Sequence, residues 1–446
     1  MGLKRSESFK KTLMFFVRRS IIVLMGGCFT ASWALYYGNA ISNPFFRKGN
    51  WVVILIYMLM FYFLSNFYGG YRIGSQKITD TVYSNLLSLF IVNIITYFQI
   101  TLINRWFLNA GPLLVATAAQ ICIIFVWSLA VTRFYFRIFD PVSLICLYGG
   151  RYPDDTISRF NILADKFKVV DAIEITSGKK YDYAQLTTAD GVIISGVPDE
   201  KYPEILKFCV ENNLRYYINP SIGDILLRTA DLIYLNDMPL LLSKNEGLFF
   251  GQRCAKRIFD LVMSVIFIVF TSPLMLAAAI CIKAGDGGSI IYRQKRCTQG
   301  GKVFYMLKFR SMREDAESDG KARLASEHDP RITPVGRILR KYRIDELPQL
   351  FNILWGDMSF VGPRPERPAI IRQYRKTLPE FNYRLNVKCG LTGYAQVIGC
   401  YNTTPKDKLK LDLIYMQTYS LMLDIKIILM TIKAVFSKES AQGLKE

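Results

Sequence analysis

The sequence predicts a membrane protein of mixed α and α/β class: a four-helix transmembrane bundle, a Rossmann-like α/β module, and an α/β domain anchored by a re-entrant helix hairpin. Three observations carry that prediction. The first third of the chain holds four apolar stretches, each near the ~20 residues that a helix needs to cross hydrocarbon. The middle switches to short apolar runs separated by amphipathic segments, the alternation of an α/β fold. The remainder opens on another apolar run, interrupted by Ser272-Pro273 and basic at both flanks, and continues as a dense polar domain.

Bulk chemistry narrows the function. Of 446 residues, 51% are hydrophobic and 14% aromatic, the balance of a chain partly embedded in lipid. A formal charge of +20 requires an acidic partner, and beside membrane segments anionic lipid and phosphorylated substrates lead over nucleic acid. The nine cysteines, among them Cys28, Cys122, Cys254 and Cys400, are scattered and form no Cys-x-x-Cys pair, as expected of reduced, inert thiols. His328 is the sole histidine, which argues against a Ser-His-Asp triad, a His-rich zinc site and a His general base. Chemistry is left to carboxylates and cations.

Residues 1–138 are read as the membrane bundle, with spans at Ser20 to Tyr37, Trp51 to Tyr68, Val82 to Leu102 and Pro112 to Thr132. The first lacks a small-residue cleavage site and is followed by further spans, so it is not read as a signal peptide. Lys4, Arg5, Lys10, Lys11, Arg18 and Arg19 precede it and Arg133 and Arg137 follow the fourth, whereas the outer loops hold Arg47, Lys48 and Arg105; the positive-inside rule then puts both ends of the bundle in the cytoplasm. Residues 139–245 form the second module, with strand-like runs at Leu144 to Tyr148, Val169 to Ile175, Gly191 to Ser195 and Arg215 to Ile218. Its first run ends in Tyr148-Gly149-Gly150-Arg151, where a nucleotide-binding fold places its phosphate loop, but no Gly-x-Gly-x-x-Gly follows. A regulatory or structural module is preferred over nucleotide binding.

Residues 246–446 form the third domain. The apolar run at about 256–283 is long enough to cross the bilayer, yet Pro273 removes a backbone hydrogen bond inside it. Arg253, Lys256 and Arg257 lie before it and Lys283, Arg293, Lys295 and Arg296 after it, so both ends are expected in the cytoplasm. A re-entrant hairpin satisfies that; an ordinary kinked fifth span is the alternative. Next comes a β-hairpin pattern turning at Gly300-Gly301, in which Lys308 and Arg310 are phosphate candidates. Asp345-Glu346 follow Arg337 and Arg340. Adjacent carboxylates beside arginines suit phosphoryl transfer, one attacking phosphorus and the other holding a divalent cation, although acidic pairs also serve as simple helix-dipole partners. The segment Val361-Gly362-Pro363-Arg364-Pro365-Glu366 is a proline-stiffened loop suited to bidentate phosphate recognition.

From Lys256 onward the sequence resembles the bacterial sugar transferase family, the monotopic polyprenyl-phosphate phosphoglycosyl transferases. The resemblance rests on the hydrophobic run with Ser272-Pro273, Lys308-Phe309-Arg310-Ser311-Met312, Asp345-Glu346-Leu347-Pro348-Gln349-Leu350, Val361-Gly362-Pro363-Arg364-Pro365-Glu366, Gly390-Leu391-Thr392-Gly393 and Lys410-Leu411-Asp412. The preceding spans and Rossmann-like (CoA-binding-like) module resemble the larger architecture of that family. It implies a bacterial inner-membrane, multi-pass enzyme with a cytoplasmic catalytic domain that starts surface polysaccharide synthesis. The implied reaction moves a hexose 1-phosphate from a UDP-sugar to undecaprenyl phosphate and releases UMP. By resemblance Asp345 is the nucleophile and Glu346 the Mg²⁺ ligand, Arg340 and Arg364 serve phosphate and nucleotide, and Asp412 is a further acidic residue of the site, with Lys308, Arg310 and Glu366 binding substrate.

The sequence departs from the family pattern at Thr298, where glycine is usual, and at Cys389, where proline is usual. Two other readings remain: a conventional membrane glycosyltransferase that releases UDP, and a catalytically inactive assembly scaffold. Leu409 to Phe436 reads either as amphipathic helices on membrane lipid or as core. The spare α/β module leaves room for a homodimer, and no motif names the sugar.

Overall fold

The computed structural model describes residues 2–42, 44–45, 48–150, 152–228, 230–242, 247–313, 329, 331–399 and 403–436. Arg47, Arg151, His328, Cys400 and residues 437–446 lie outside them, as do the side chains of Lys4 and Arg5. The chain divides into two compact units, Met1–Ser221 and Ile222–Glu446.

In the first unit, α1 (Gly2–Ser32) runs through a π-helical stretch (Trp33–Tyr37) and is followed by α2 (Lys48–Tyr68), α3 (Ile78–Asn104) and α4 (Gly111–Ile138). Helical segments at Phe9–Ala40, Lys48–Tyr68, Ile78–Asn104 and Gly111–Ile138 are each long and apolar enough to cross a membrane. Each of the four packs on two others: α1 on α2 and α4, α3 on α2 and α4. Their core stacks Phe29 on Tyr57 with ring centroids 4.2 Å apart. One buried polar network reaches all four helices. Tyr57 on α2 donates to Asn93 Oδ1 on α3 (2.9 Å), Asn93 donates to Thr117 Oγ1 and Gln120 Oε1 on α4 (2.8 and 3.1 Å), and Gln120 donates to the Met25 carbonyl on α1 (3.0 Å). Among apolar side chains such groups are tolerable only when paired, so the network favours one arrangement of the helices over its rotated alternatives.

The α/β part of this unit comprises β1 (Val142–Tyr148), α5 (Asp154–Asn161), β2 (Phe167–Glu174), β3 (Gly191–Ser195), α6 (Tyr202–Glu211) and β4 (Arg215–Asn219). The strands form a parallel sheet in the order β2-β1-β3-β4. Such sheets bind ligands at the switch point, here beyond the C-terminal ends of β1 and β3. Two backbones approach closely there: a Cβ on Gly149 would collide with the Gly196 carbonyl. Asp154 and Asp155 occupy the first turn of α5, where they oppose an anion. Both features disfavour a phosphate loop.

The second unit begins with α7 (Ile222–Leu227), whose Ile222, Ile225 and Leu226 pack with Phe381, Leu409 and Leu413. This helix, near the end of the module read over 139–245, therefore packs against residues of the third domain. An antiparallel pair, β5 (Asp231–Leu235) and β6 (Met238–Leu242), exposes Leu232, Tyr234, Leu235, Met238 and Leu241.

Then comes α8 (Phe250–Asp286), a single continuous helix of 37 residues with Pro273 inside it. The sequence predicted a re-entrant hairpin kinked at Pro273; the helix is continuous through that proline and is long and apolar enough from Phe250 to Gly285 to cross a membrane. The physical reason is local. Pro273 cannot donate to the Val269 carbonyl, and the Ser272 hydroxyl donates to that oxygen instead (2.8 Å). A stripe through Lys256, Asp260, Ser264, Phe267, Met275, Ala278 and Ile282 packs along the domain, while Val262, Val265, Val269, Phe270, Leu274, Leu276 and Ile280 are exposed.

The strands β7 (Ile291–Cys297) and β8 (Val303–Phe309) make the predicted hairpin, with Gly300 and Gly301 at φ +67° and +76°. After them come α9 (Pro334–Lys341), a 3₁₀ turn (Ile344–Glu346), α10 (Gln349–Trp355), β9 (Ser359–Val361), α11 (Pro368–Arg375), a 3₁₀ segment (Pro379–Asn386) and β10 (Gly390–Thr392), which pairs in parallel with β9. Helices α12 (Tyr394–Ile398), α13 (Pro405–Gln417) and α14 (Leu421–Phe436) close the domain. Leu409, Asp412, Leu413, Tyr415, Asp424 and Ile427 are buried, so these last helices are core elements.

Candidate active site

The site is assembled around the turn between α9 and α10. Thr333 caps α9, its Oγ1 accepting from Gly336 N (2.9 Å), and Pro334 opens the helix. Arg343, in the left-handed region at φ +55°, ends the run and turns the chain into Ile344–Glu346. Ile344 and Leu347 pack inward, which leaves Asp345 and Glu346 on a tight turn. The first turn of α10 contains no acidic residue, so the pair is not a dipole partner of that helix.

Lys308 is brought to this turn by β8. Phe304 and Met306 are buried on the same strand face as Lys308, which emerges at the rim of the core. Asn352 on α10 fixes the register: its Oδ1 accepts from Leu307 N (2.9 Å) and its Nδ2 donates to the Tyr305 carbonyl (3.0 Å). Glu346 Oε1 then accepts from Lys308 Nζ at 3.1 Å and from an Arg364 guanidinium nitrogen at 2.9 Å.

The two carboxylates are driven apart. Burial, aided by the Glu346 charge, pushes Asp345 up to about 6 against the pull of Lys308, Arg340 and Arg364. Burial also acts on Glu346, but Lys308 and Arg364 outweigh it and hold that carboxyl well below the usual carboxylate range. Such a pair has one permanently charged member and one neighbour of raised basicity, the division of labour that acid, base and nucleophilic chemistry requires.

The loop bearing Arg364 is pinned from several sides. A Cβ on Gly362 would strike the Lys388 carbonyl, and Gly390 N donates to the Pro363 carbonyl (3.0 Å), so this loop and the approach to β10 lie backbone against backbone. Below them sits Arg384, with 4% exposure. Its guanidinium donates to the Arg364 carbonyl (3.0 Å), lies 2.9 Å from Asp412 Oδ2 and 3.8 Å from Glu366 Oε1, and covers the Phe381 ring at 4.8 Å. Burial pushes Asp412 up to about 6 despite Arg384.

The predicted residues therefore fall into two groups joined by Arg364. Asp345, Glu346, Lys308 and Arg364 form one, with Arg340 acting on Asp345 through its charge. Glu366 and Asp412 meet around Arg384 in the other. Arg310 is buried beside Gly288, where an added Cβ would strike its guanidinium. Ser272 and Pro273 lie on the exposed face of α8. Among the described residues no three His, Cys, Asp or Glu side chains cluster as a metal cage.

The family model for bacterial sugar transferases matches residues 251–438. A UDP-N-acetylgalactosamine-undecaprenyl-phosphate N-acetylgalactosaminephosphotransferase of Aeromonas hydrophila is 42% identical over 185 residues, 41% of this chain and 44% of that protein. A UDP-glucose:undecaprenyl-phosphate glucose-1-phosphate transferase of Xanthomonas campestris pv. campestris is 41% identical over 238 residues, 51% of this chain and 49% of its own length. A protein of the same description from Caulobacter vibrioides is 41% identical over 193 residues, which span 42% of this chain and 71% of the relative. The chain belongs to the bacterial sugar transferase family. Its match spans about half or less of the Aeromonas and Xanthomonas relatives.

Three contacts around the site had no sequence signal of their own. Arg384 stands in an irregular segment without a motif. Lys256, read from sequence as a basic flank, is 6% exposed and pairs with Asp424 (2.6 Å). Asp260, lost in an apolar run, accepts from Ser359 Oγ and Phe360 N (3.0 Å each) and so holds the strand that leads to Arg364.

Proposed function

We propose that the protein transfers a hexose 1-phosphate from a UDP-sugar to undecaprenyl phosphate, releasing UMP, as the first membrane step of surface polysaccharide synthesis. The observation that carries this reading is the raised Asp345 carboxyl beside Glu346, whose charge is balanced by Lys308 and Arg364. The names of the relatives support the same donor and acceptor classes.

In the proposed mechanism an Asp345 carboxylate oxygen attacks the β-phosphorus, and the bond from that phosphorus to the α-phosphate oxygen breaks. UMP leaves with the bonding pair, and an acyl-phosphate carrying the sugar remains on Asp345. An oxygen of the lipid phosphate then attacks the same phosphorus, the acyl-phosphate P–O bond breaks, and the Asp345 carboxylate is restored. Lys308, Arg340 and Arg364 stabilise charge on the phosphate oxygens. With a carboxyl near 6, most Asp345 side chains are ionised at neutral pH and remain good nucleophiles. The donor set fits Mg²⁺, which takes one or two carboxylates and completes its shell with water and substrate phosphate. Glu346 would hold it, and the ion would neutralise diphosphate charge.

The membrane reading is an inner-membrane protein with a cytoplasmic catalytic domain, four spans, and α8 entering and leaving on one side. Its support is that Lys256 and Asp260 near one end of α8 and Ala278 and Ile282 near the other pack on the same domain. A straight helix of this length would extend ~55 Å. A homodimer belongs to the same reading, with the exposed apolar pair β5–β6 as the surface that a second copy would cover.

Nucleotide release from a panel of UDP-sugars by purified protein, with and without undecaprenyl phosphate and Mg²⁺, tests the reaction. Release of UMP from one donor, dependent on lipid and metal, is expected. UDP release would indicate a conventional glycosyltransferase, and no release from any donor a scaffold.

A further inference from the structure

The loop that carries Arg364 is held by its carbonyls. The oxygens of Pro363, Arg364, Pro365 and Glu366 accept in turn from Gly390 N (3.0 Å), the Arg384 guanidinium (3.0 Å), Arg296 Nη1 (2.9 Å) and Cys297 N (3.0 Å). Pro363 and Pro365 have no N–H, so the carbonyls are the main handles by which the domain grips this backbone. Arg384 holds the loop from below. Arg296, which in sequence is only part of a basic flank, holds it from β7.

The geometry of Arg296 suits this contact and not a phosphate of its own. Gln294 and Arg296 are two residues apart on β7 and share a face of the strand. Arg296 Nε and Nη2 both donate to Gln294 Oε1 (2.9 and 2.6 Å), which fixes the plane of the guanidinium and leaves Nη1, on the opposite edge, for the Pro365 carbonyl. All three nitrogens therefore donate to protein atoms. The Glu366 carboxylate lies 3.6 Å from Nη1, an ion-pair contact too long for a hydrogen bond, so charge alone does not account for the arrangement. A lysine would supply the charge but not the planar fork that joins Gln294 to the loop. The Arg364 side chain depends on such support: it is 43% exposed where it reaches across to Glu346 Oε1 (2.9 Å), so the backbone beneath it sets its position.

We propose that Arg296 is a positioning residue of the transfer site, keeping the Arg364 guanidinium on Glu346 through the Pro365 carbonyl while Gln294 sets its plane. The assignment rests on the transferase reading above. Without this contact the loop retains the donors from Gly390, Arg384 and Cys297, so it stays folded but shifts. A shift of about 1 Å at a group that binds the reacting phosphate costs on the order of 10²-fold in rate.

The test uses the full-length protein in detergent and two variants: Arg296→Lys, which keeps a charge opposite Glu366, and Gln294→Met, which leaves the guanidinium unsteered and carries the test even where Arg296→Lys fails to fold. Each should lower kcat/KM for the preferred UDP-sugar by at least about tenfold. In an Arg364→Met background the same substitutions should cost less than about twofold, because the group they position is gone. Equal cost in both backgrounds overturns the proposal. A second readout needs no turnover: the rate at which phenylglyoxal modifies Arg364 in substrate-free protein, resolved by peptide mass spectrometry. It should rise several-fold in both variants while Arg310, 7% exposed, stays as protected as in wild type. An unchanged Arg364 rate, or one that rises only together with Arg310, overturns the proposal. Wild type that releases no UMP from any donor sinks the transferase reading instead, and faster modification of Arg364 in the variants would still leave the clamp standing.

Discussion

Replacing Asp424 with alanine isolates a buried charge whose effect can be worked out from the structure. Lys256 Nζ lies 2.6 Å from Asp424 Oδ2, and the two side chains are 7% and 0% exposed. Tyr415 completes the cluster: its hydroxyl accepts from Lys256 (3.1 Å) and reaches Asp424 Oδ1 (2.8 Å) and the Val361 carbonyl (3.2 Å). Without the carboxylate, Lys256 keeps one neutral partner in a site closed to water. Breaking a buried pair from one side costs about 3–5 kcal/mol, whereas replacing both charges with apolar groups of similar volume is near neutral or stabilising. At about 2–4 °C per kcal/mol for a domain of this size, Asp424→Ala should lower the melting temperature by roughly 6–20 °C. Lys256→Met with Asp424→Leu should restore most of that loss. The assay is thermal unfolding of the purified protein in detergent, followed by tryptophan fluorescence and completed as a double-mutant cycle. An Asp424→Ala protein that melts within 2 °C of wild type, or a double variant no more stable than the single one, would refute the reasoning. Because Tyr415 reaches the strand that ends at Val361, the Asp424→Ala protein should also release UMP more slowly below its melting point.

Three further outcomes are expected. Asp345→Asn should remove UMP release by more than about 10³-fold and abolish trapping of a radiolabelled phosphosugar on the protein, while Glu346→Gln lowers release without abolishing trapping; near-normal turnover of Asp345→Asn would sink the covalent route. Gly288→Ala should push the Arg310 guanidinium aside and lower kcat/KM for the donor about tenfold, a loss corresponding to about 1.4 kcal/mol, with the melting temperature little changed; an unaltered kcat/KM would remove Arg310 from phosphate binding. Cys254 and Cys281 are exposed near the two ends of α8. In single-cysteine variants a membrane-impermeant maleimide should reach both in inside-out vesicles and neither from outside intact cells, and labelling of one from each side would make α8 a fifth span.

The helices and strands that sequence reasoning located are those whose periodicity reflects one dominant environment. Lipid-length apolar runs located α1 to α4, although the first helix begins well before Ser20 and the fourth runs past Thr132 to Ile138, and alternating runs located β1 to β4 in their parallel sheet. The sequence marked Pro273 as a kink in α8 but did not show that the helix continues through it. Whether a proline breaks a helix depends on what satisfies the orphaned carbonyl, and Ser272, one residue before it, does so here. The packing of Ile222–Leu227 was not legible for a related reason: a short amphipathic helix shows which face is apolar, not which residues that face meets.

The same distinction explains which charges of the site could be found. Asp345, Glu346, Lys308 and Arg364 stand in motifs whose residue types already suit phosphoryl transfer, and the fold brings Lys308 and Arg364 within hydrogen-bond reach of Glu346, next to Asp345. Arg384, Lys256 and Asp260 carry equal chemical information in sequence, yet a lone arginine in an irregular segment, or a lysine and an aspartate at the start of an apolar helix, reads as a solvated or headgroup-facing charge. Their burial is created by distant partners: Asp412 and Arg364 for Arg384, Asp424 for Lys256, Ser359 for Asp260. All three bear on the stretch from Ser359 to Arg364: Arg384 through the Arg364 carbonyl, Asp260 through Ser359 and Phe360, and Lys256 through Tyr415, which reaches the Val361 carbonyl. Exact placement of the Arg364 guanidinium over Glu346 therefore depends on buried ion pairs that touch no phosphate. Their loss should appear first as weaker transition-state binding and only then as unfolding, since a displacement of about 1 Å at such a loop costs on the order of 10²-fold in rate.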